Sequence, residues 1–279
     1  MLLHNEETQH ILSVKVPLCN DKKAVSLKRN SNMYAIMGDK QYVSKYLENE
    51  WKAKFGVLPE NDINFTGFLD QDSTFYRKNN EFSLRGSTYA MRVPKSVGTE
   101  NRYFKREEFI DGVNLTHPEE LEQRGHNLQE IVATIAQNYV KQIERGHVHS
   151  DVHPGNFRVT DDKEIAILDR NYFLELTVGE RLLLRNIATG SPKKRAKAMA
   201  NYLASHNTAP ITDEFRQELT DVFSQHQDVQ YLRNMLHTIR RNNLALPLHM
   251  TLIAKNMMGL NSLAETAGFS LGDALVYKA

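Results

Sequence analysis

Three polar residues near the middle of the chain have the types and spacing that phosphoryl transfer requires. Asp151 and Asn156 lie in the run His-Ser-Asp-Val-His-Pro-Gly-Asn, and Asp169 follows the apolar segment Ile-Ala-Ile-Leu thirteen residues later. A loop aspartate can accept a hydrogen bond from an acceptor hydroxyl and take its proton late in the reaction. An amide and a second carboxylate offer the hard oxygen ligands that Mg²⁺ takes beside phosphate groups. The spacing therefore predicts Asp151 as the catalytic residue and Asn156 and Asp169 as metal ligands beside a nucleoside triphosphate.

Each of these residues alone has a simple structural explanation. Asp151 could cap a helix, Asn156 could complete a turn, and Asp169 could end a strand through an Asx turn. Their combination favours a functional interpretation, because Pro154 and Gly155 fix the loop and an apolar strand leads directly to the second carboxylate.

Two local patterns predict the elements that would hold these residues in place. Apolar residues recur every three or four positions over 128–143, which predicts a long buried helix that ends near Gly146. Strand-like segments at 157–160 and 165–168 flank a polar turn. They predict a hairpin that returns the chain so that Asp169 comes close to the loop.

The rest of the chain divides into a part with mixed patterns and a helical part. Before the loop, strand-like segments occur at 11–16, 24–28, 89–94 and 102–109, and helical spacing at 41–55 and about 63–82. From 177 to about 275 the pattern predicts several helices, with Pro210 and Pro247 at helix starts or breaks. We therefore expect an α+β protein with a small β-rich lobe at 1–107 and a larger, mainly helical lobe at 108–279.

The composition excludes some partners. Lysine and arginine number 35 and aspartate and glutamate 34, so a formal net charge of +1 gives no general attraction to nucleic acid or anionic membranes. No run approaches the roughly twenty apolar residues of a membrane span, and the start lacks a signal-peptide pattern. The single cysteine, Cys19, cannot form an intramolecular disulfide, which fits a reducing compartment. We expect a cytoplasmic protein that binds no nucleic acid, with peripheral membrane contact left open.

The loop that ends at Asn156 resembles the catalytic loop shared by the ABC1/UbiB atypical kinases and the aminoglycoside and choline phosphotransferases. Three further stretches favour the ABC1/UbiB family. Residues 106–115 resemble its hinge, Leu168-Asp169 with 176–181 resembles its metal-binding segment and following helix, and 244–256 is similar to its late helix pair. The resemblance implies a bilobal protein-kinase-like fold and an ATP- and Mg²⁺-dependent kinase or ATPase.

The resemblance also implies residues that would bind the nucleotide. Residues 25–28 look like the strand that ends in the phosphate-binding lysine, which makes Lys28 the first candidate and Lys15 the second. A lysine there would act as a point charge on the phosphates, although either could simply be an exposed strand lysine. Adenine would lie against the connecting strand and touch the backbone of Glu108 and Ile110.

The chain also departs from the family pattern. The Lys-x-Gly-Gln motif and the alanine-rich loop do not occur before Ile11, and the usual Asp-Phe-Gly is Asp169-Arg170-Asn171. These departures suggest a non-catalytic pseudokinase as one alternative. A small-molecule phosphotransferase of the aminoglycoside or choline type is another, but 220–263 is apolar and basic rather than acidic as an acceptor pocket of that type would be.

Overall fold

The structure, a computed structural model, describes residues 25–30, 33–37, 42–46, 86–94, 104–168, 173–225 and 229–278. They belong to two compact units. The first contains the described residues up to 46 and those from 93 to 112, and the second contains 86–92 and those from 113 onward. The predicted strand at 11–16, the predicted helix at 63–82, Lys15 and Asp169 lie outside the described residues.

Strands occur in both units and the described helices belong to the second. The described strands are β1 (Val25–Asn30), β2 (Met33–Met37), β3 (Tyr42–Tyr46), β4 (Ala90–Arg92), β5 (Phe104–Glu108), β6 (Val113–Asn114), β7 (His147–His149), β8 (Phe157–Val159), β9 (Glu164–Ile167) and β10 (Phe173–Glu175). The described helices are α1 (Pro118–Gln123), α2 (Leu128–Arg145), α3 (Val178–Thr189), α4 (Pro192–Ala204), α5 (Asp213–Gln225), α6 (Gln230–Arg241), α7 (Leu248–Thr266) and α8 (Leu271–Val276). The expected α+β fold with a β-sheet unit and a mainly helical unit is confirmed.

The first unit contains a four-stranded antiparallel sheet in the order β1-β2-β3-β5. Lys28, which was predicted to end its strand, lies inside β1, where the register with β2 shifts between Ser26 and Arg29. β1 pairs with β2, a strand that the sequence did not predict. Glu108 ends β5 and lies opposite Tyr42 of β3.

The helix predicted at 41–55 is wrong at its beginning, because Tyr42–Tyr46 forms strand β3. This strand pairs with β2 on one side and with β5 on the other. The segment Tyr-Val-Ser-Lys-Tyr is rich in aromatic and β-branched residues, which favour strands. Pairing on both sides therefore outweighs the helical spacing of its apolar residues.

The second unit has two small sheets beside its helices. One has the order β4-β9-β8-β6, and the other consists of β7 and β10. The predicted hairpin is confirmed, since β8 and β9 pair antiparallel with Phe157 opposite Ile167. Residues 86–92 belong to this unit because β4 pairs in parallel with β9. The single boundary after residue 107 stays a prediction.

Helix α2 is the long buried helix predicted before the loop. Its N-cap Asn127 accepts a hydrogen bond from the Glu130 N–H, and Gly146 ends it in the left-handed region with φ 76°. Ile131 and Tyr139 are among its buried residues. Because the capping glycine directly precedes β7, the helix end sets where the loop begins.

The predicted helices of the carboxy-terminal part are confirmed as α3 to α8. Pro247 is the N-cap of α7, and Pro210 lies between α4 and α5. In the described parts of the chain, no helix has the length and apolarity needed to cross a membrane.

Glu180 in the first turn of α3 joins three elements. It accepts hydrogen bonds from the Thr177 N–H and the Tyr202 hydroxyl, each at 2.9 Å, and from His249 Nε2 at 2.5 Å. Burial alone would raise the pKa of the Glu180 carboxyl, but the backbone donor of Thr177, His249 and the other donors outweigh burial and lower it to about 2. The carboxylate therefore ties α3 to α4 and to α7.

We expect the stabilisation by Glu180 to depend on pH. The folded-state pKa is lower than the unfolded value of 4.5, so the stabilisation is complete above that value and is lost as the pH falls towards 2. Glu180→Gln should lower the free energy of unfolding by about 3 kcal/mol at pH 7 and by roughly half as much at pH 3. Urea unfolding measures both values. Glu214→Gln in the first turn of α5 is the control, and an equal loss for Glu180→Gln at both pH values would contradict the assignment.

Candidate functional site

The loop between β7 and β8 contains the predicted site residues of the second unit. It begins after His149, the last residue of β7, and ends in a short 3₁₀ helix at Pro154–Asn156. β7 pairs with β10, which follows Asp169 in the chain, and β8 pairs with β9, which precedes it. Strands from both sides of Asp169 therefore fix the two ends of the loop.

His149 connects the loop to the end of the hairpin. Its side chain is buried, and its Nδ1 accepts a hydrogen bond from the Asp151 N–H at 3.1 Å. Nε2 then carries the proton and donates to the Leu168 carbonyl oxygen at 3.2 Å. The Leu168 N–H donates in turn to the Asn156 carbonyl oxygen at 2.7 Å. The residue before Asp169 is thus hydrogen-bonded to both ends of the loop.

Asn156 has the properties expected of a ligand for a cation. It is fully buried, and its Nδ2 donates to the Asp151 carbonyl oxygen at 2.9 Å, which fixes the orientation of the amide. Its Oδ1 is buried and accepts no hydrogen bond from any residue that the structure describes. Since a buried polar oxygen without a donor is costly, this atom fits a site for Mg²⁺.

Asp151 presents its carboxylate at the surface of the second unit, with its side chain 40% exposed. Lys255 Nζ donates to Oδ1 at 2.9 Å, and His153 Nε2 lies 3.7 Å from Oδ2. Burial raises the pKa of the Asp151 carboxyl, but the hydrogen bond and charge of Lys255 outweigh burial and hold it below its ordinary value. The group is therefore a carboxylate at neutral pH.

The side chain of Asn256 in α7 is hydrogen-bonded to the loop. Its Oδ1 accepts a hydrogen bond from the Val152 N–H at 3.1 Å, and its Nδ2 donates to the His149 carbonyl oxygen at 3.1 Å and to the Tyr139 hydroxyl at 3.0 Å. The side chain is fully buried. A Cβ placed on Gly259, one turn further along α7, would lie 3.2 Å from the Val152 carbonyl oxygen, so the helix and the loop are in close contact.

Neither Lys255 nor Asn256 was predicted as a site residue. Lys255 lies 104 positions after its partner Asp151, and Asn256 lies 104 positions after its partner Val152. Their sequence context is an ordinary apolar helix with scattered polar residues. An amide inside an apolar helical pattern was the one feature that could have suggested a buried role for Asn256.

The second half of the loop depends on a close approach at Gly155. Its N–H donates to His153 Nδ1 at 3.0 Å, and its carbonyl oxygen accepts from Asn114 Nδ2 at 2.9 Å. A Cβ at Gly155 would lie 2.7 Å from Cε1 of the His153 ring. A glycine at this position therefore lets His153 fold back over the turn and direct Nε2 towards Asp151.

The other predicted site residues lie in the first unit or outside the described residues. Lys28 is in β1, Glu108 ends β5, and Ile110, two residues later, is 4% exposed. Asp169 lies outside the described residues. The structure brings Asp151 and Asn156 together in one loop, and the roles assigned to all six residues stay predictions.

The described part of the site combines two chemical functions. An exposed, ionised carboxylate can accept a hydrogen bond or a proton from a hydroxyl group. In the same loop, the buried Asn156 amide oxygen, which has no donor in the part of the chain that the structure describes, can bind a hard cation. His149 accepts a hydrogen bond from the Asp151 N–H, and Asn256 bonds to the neighbouring backbone, so the loop that carries both groups is held on rigid elements. This is the preorganisation that catalysis by positioning requires.

Solved structures similar to this chain include kinase-like proteins. A complex of Rv3197 with erythromycin from Mycobacterium tuberculosis is 13% identical, with a TM-score of 0.49, and covers 92% of this chain and 78% of that chain. The streptomycin–ATP–APH(2″)-IIa ternary complex is 10% identical, with a TM-score of 0.37, and the match covers 83% of this chain and 95% of that chain. WbdD is 14% identical, with a TM-score of 0.34, and covers 78% of this chain and 50% of its own. No residue role is carried over from similarities this distant.

The family comparison concerns the segment with the loop. Among curated proteins, none matches the chain. Residues 76–203 match the ABC1 atypical kinase-like domain, and this segment contains the loop, the hairpin, and helices α1 to α3 with most of α4. The resemblance seen in the sequence is thereby confirmed for this segment, which is similar to the ABC1 atypical kinase-like domain.

Proposed function

We propose that this protein binds ATP together with Mg²⁺ and transfers the γ-phosphoryl group to an acceptor hydroxyl or to water. The observation that carries the proposal is the buried Asn156 Oδ1, which has no donor among the described residues and lies in the same loop as the ionised Asp151. A loop that served only to connect two strands would have no reason to leave a buried amide oxygen unpaired. The ABC1 atypical kinase-like domain around the loop supports the same chemistry.

Asp151 would orient the acceptor in this reaction. The bond between the γ-phosphorus and the bridging oxygen of ADP breaks, a bond from the γ-phosphorus to the acceptor oxygen forms, and the acceptor proton passes to the Asp151 carboxylate. Lys255 holds one carboxylate oxygen at 2.9 Å, whereas His153 Nε2 lies 3.7 Å from the other, beyond hydrogen-bond distance, so that this second oxygen can accept the hydroxyl. The main contribution of the protein is therefore position and charge rather than covalent chemistry.

The ligands of the cation would be Asn156 and Asp169. The Oδ1 of Asn156, which accepts no hydrogen bond from a described residue, supports the first assignment, and the place of Asp169 after the apolar strand supports the second. When bound, Mg²⁺ would neutralise negative charge on the phosphates. Lys28 as the phosphate-binding lysine and the backbone of Glu108 and Ile110 as the adenine site complete the proposal, on the basis of the family resemblance.

Release of ADP from Mg-ATP by the full chain tests the proposal. We expect slow but saturable release that Asn156→Leu and Asp169→Ala each reduce at least about tenfold, since each removes a cation ligand. Two variants are used because Asn156→Leu also removes the hydrogen bond to the Asp151 carbonyl oxygen. Unchanged release in both folded variants would refute the site.

Lys255 should tune the acidity of Asp151. Lys255→Met removes the cation that lowers the pKa of Asp151, so this pKa should rise. Because the proton acceptor works only when deprotonated, the acid limb of the pH profile of kcat/KM should move to higher pH. The control is Lys141→Met, which removes a similarly exposed lysine from its pair with Glu144 at 2.9 Å. Superimposable pH profiles for wild type and Lys255→Met would contradict this role.

A pseudokinase that binds nucleotide without transfer is the second candidate. The observation that favours it is the ion pair between Lys255 and Asp151, because Lys255 already binds the carboxylate that an acceptor would need. This alternative predicts nucleotide binding that depends on Asn156 but no release of ADP in wild type. Release that depends on Asp151 would exclude it.

A further inference from the structure

A large apolar cavity lies within the second unit, away from the loop. Its volume is about 760 Å³, and its lining comes from α2, α3, α4, α6, α7, α8 and the segment before α7. No described residue between 146 and 177 lines it, so it is separate from the loop around Asp151. Its volume lies within the range of about 300–1,000 Å³ that is typical of small-molecule sites.

Helix α7 separates the cavity from the loop. Met250, Ile253, Ala254 and Met257 recur at helical spacing along one face and line the cavity. Asn256 on another face contacts the loop. The cavity is therefore built on the same rigid helix as the loop but shares none of its hydrogen-bonded side chains.

The lining is suited to a flexible hydrocarbon chain. Four methionines contribute to it, and thioether side chains adapt to ligands of irregular shape. They are joined by branched aliphatic side chains such as Ile187 and Leu232, which are buried. The methionines are Met199, Met235, Met250 and Met257.

The charged residues in the lining give the cavity a cationic rim. Arg181 and Arg185 lie one turn apart on α3, and neither forms an ion pair with a described carboxylate. Arg181 Nη1 donates to the Glu144 carbonyl oxygen at 2.9 Å, while its Nε is buried and has no acceptor in the described parts of the chain. The Glu144 carboxylate is already paired with Lys141 at 2.9 Å. The Arg185 guanidinium and the Nε of Arg181 are therefore the positive groups that an anion at the rim can neutralise.

We propose that this cavity binds a long-chain carboxylate, such as a free fatty acid, with its chain among the methionines and its carboxylate on Arg181 and Arg185. Charge complementarity selects an anionic head, because the lining contains two arginines and one carboxylate that is already neutralised. The apolar lining selects a saturated or weakly polar tail, whose transfer from water drives binding. A free acid fits a recessed cavity of limited volume.

The proposal is tested by binding of palmitate below its critical micelle concentration. Displacement of a fluorescent fatty acid from the protein measures this binding. We expect saturable binding of about one palmitate per chain, and binding of hexadecanol that is about tenfold weaker, because the alcohol keeps the tail and lacks the charge. Arg185→Glu should weaken palmitate binding at least tenfold and leave hexadecanol nearly unchanged. Lys193→Glu, the same reversal at an exposed residue of α4 outside the lining, is the matched control.

A steric variant makes the test independent of charge. Ala188 lies in the lining and is exposed, so Ala188→Trp should fold normally and fill the entrance. It should abolish binding of both palmitate and hexadecanol. The proposal would be overturned by equal affinity for palmitate and hexadecanol or by unchanged binding in Ala188→Trp. It would also be overturned if the protein bound anionic vesicles but not monomeric palmitate.

Discussion

Asp151→Asn is expected to lose about 100- to 10,000-fold in the rate of phosphoryl transfer while it keeps its fold and its affinity for Mg-ADP. The amide has the same shape as the carboxylate and can still accept the hydrogen bond from Lys255 Nζ. It cannot take a proton from an acceptor. Because the Asp151 side chain is 40% exposed, the substitution should cost little stability.

The rate is measured as ADP release at saturating Mg-ATP, and the fold is checked by thermal unfolding of the same samples. Asp162→Asn is the matched control, since it makes the same change at an exposed turn residue between β8 and β9. It should retain the wild-type rate. If Asp151→Asn and Asp162→Asn hydrolyse ATP equally fast, Asp151 is not the residue that orients the acceptor.

Asn256→Leu should cause the largest loss of stability among the substitutions considered. Leucine fills a similar volume but leaves the Val152 N–H, the His149 carbonyl oxygen and the Tyr139 hydroxyl without their present partner. Each buried group left unpaired costs about 1–3 kcal/mol, so we expect a total of about 3 kcal/mol or more. In a unit of this size such a loss lowers Tm by roughly 6–12 °C.

Asn261→Leu on the same helix is the control for this experiment. Among the described residues, half-buried Asn261 donates only to Glu265 Oε1 at 2.8 Å, one turn further along α7, in a solvent-exposed hydrogen bond. Its replacement should change stability by less than about 0.5 kcal/mol. Calorimetry compares the two variants, and hydrogen exchange at Val152 shows whether the loop itself is released. A loss for Asn256→Leu no greater than that for Asn261→Leu would contradict the anchoring role.

The parts of the site that the sequence predicted are those that local patterns encode. Periodic apolar residues end at Gly146, and alternating segments flank a polar turn after Phe157, so these patterns alone were enough to place helix α2 and the hairpin. The loop lies between them. Its polar residues could be assigned because their chemistry and spacing are specific in combination.

The parts that the sequence missed depend on contacts between distant segments. Asn256 and Asn261 are five positions apart in one helix, and nothing in their immediate sequence shows that only the first is fully buried against the loop. The same limit applies to Lys255. Strand β3 was missed for a related reason, since a short apolar pattern fits a helix and a strand, and pairing with β2 and β5 decides between them.

The central claim is that the loop binds a nucleotide through a cation, and a thermal-shift titration with Mg-ADP tests it most directly. A ligand that binds only the folded protein raises its stability by RT ln(1 + [L]/Kd). We predict a shift that grows with Mg-ADP concentration, that disappears when EDTA replaces Mg²⁺, and that is lost in Asn156→Leu. A shift of equal size without Mg²⁺, or in Asn156→Leu, would contradict the assignment of the buried Asn156 Oδ1 as a metal ligand.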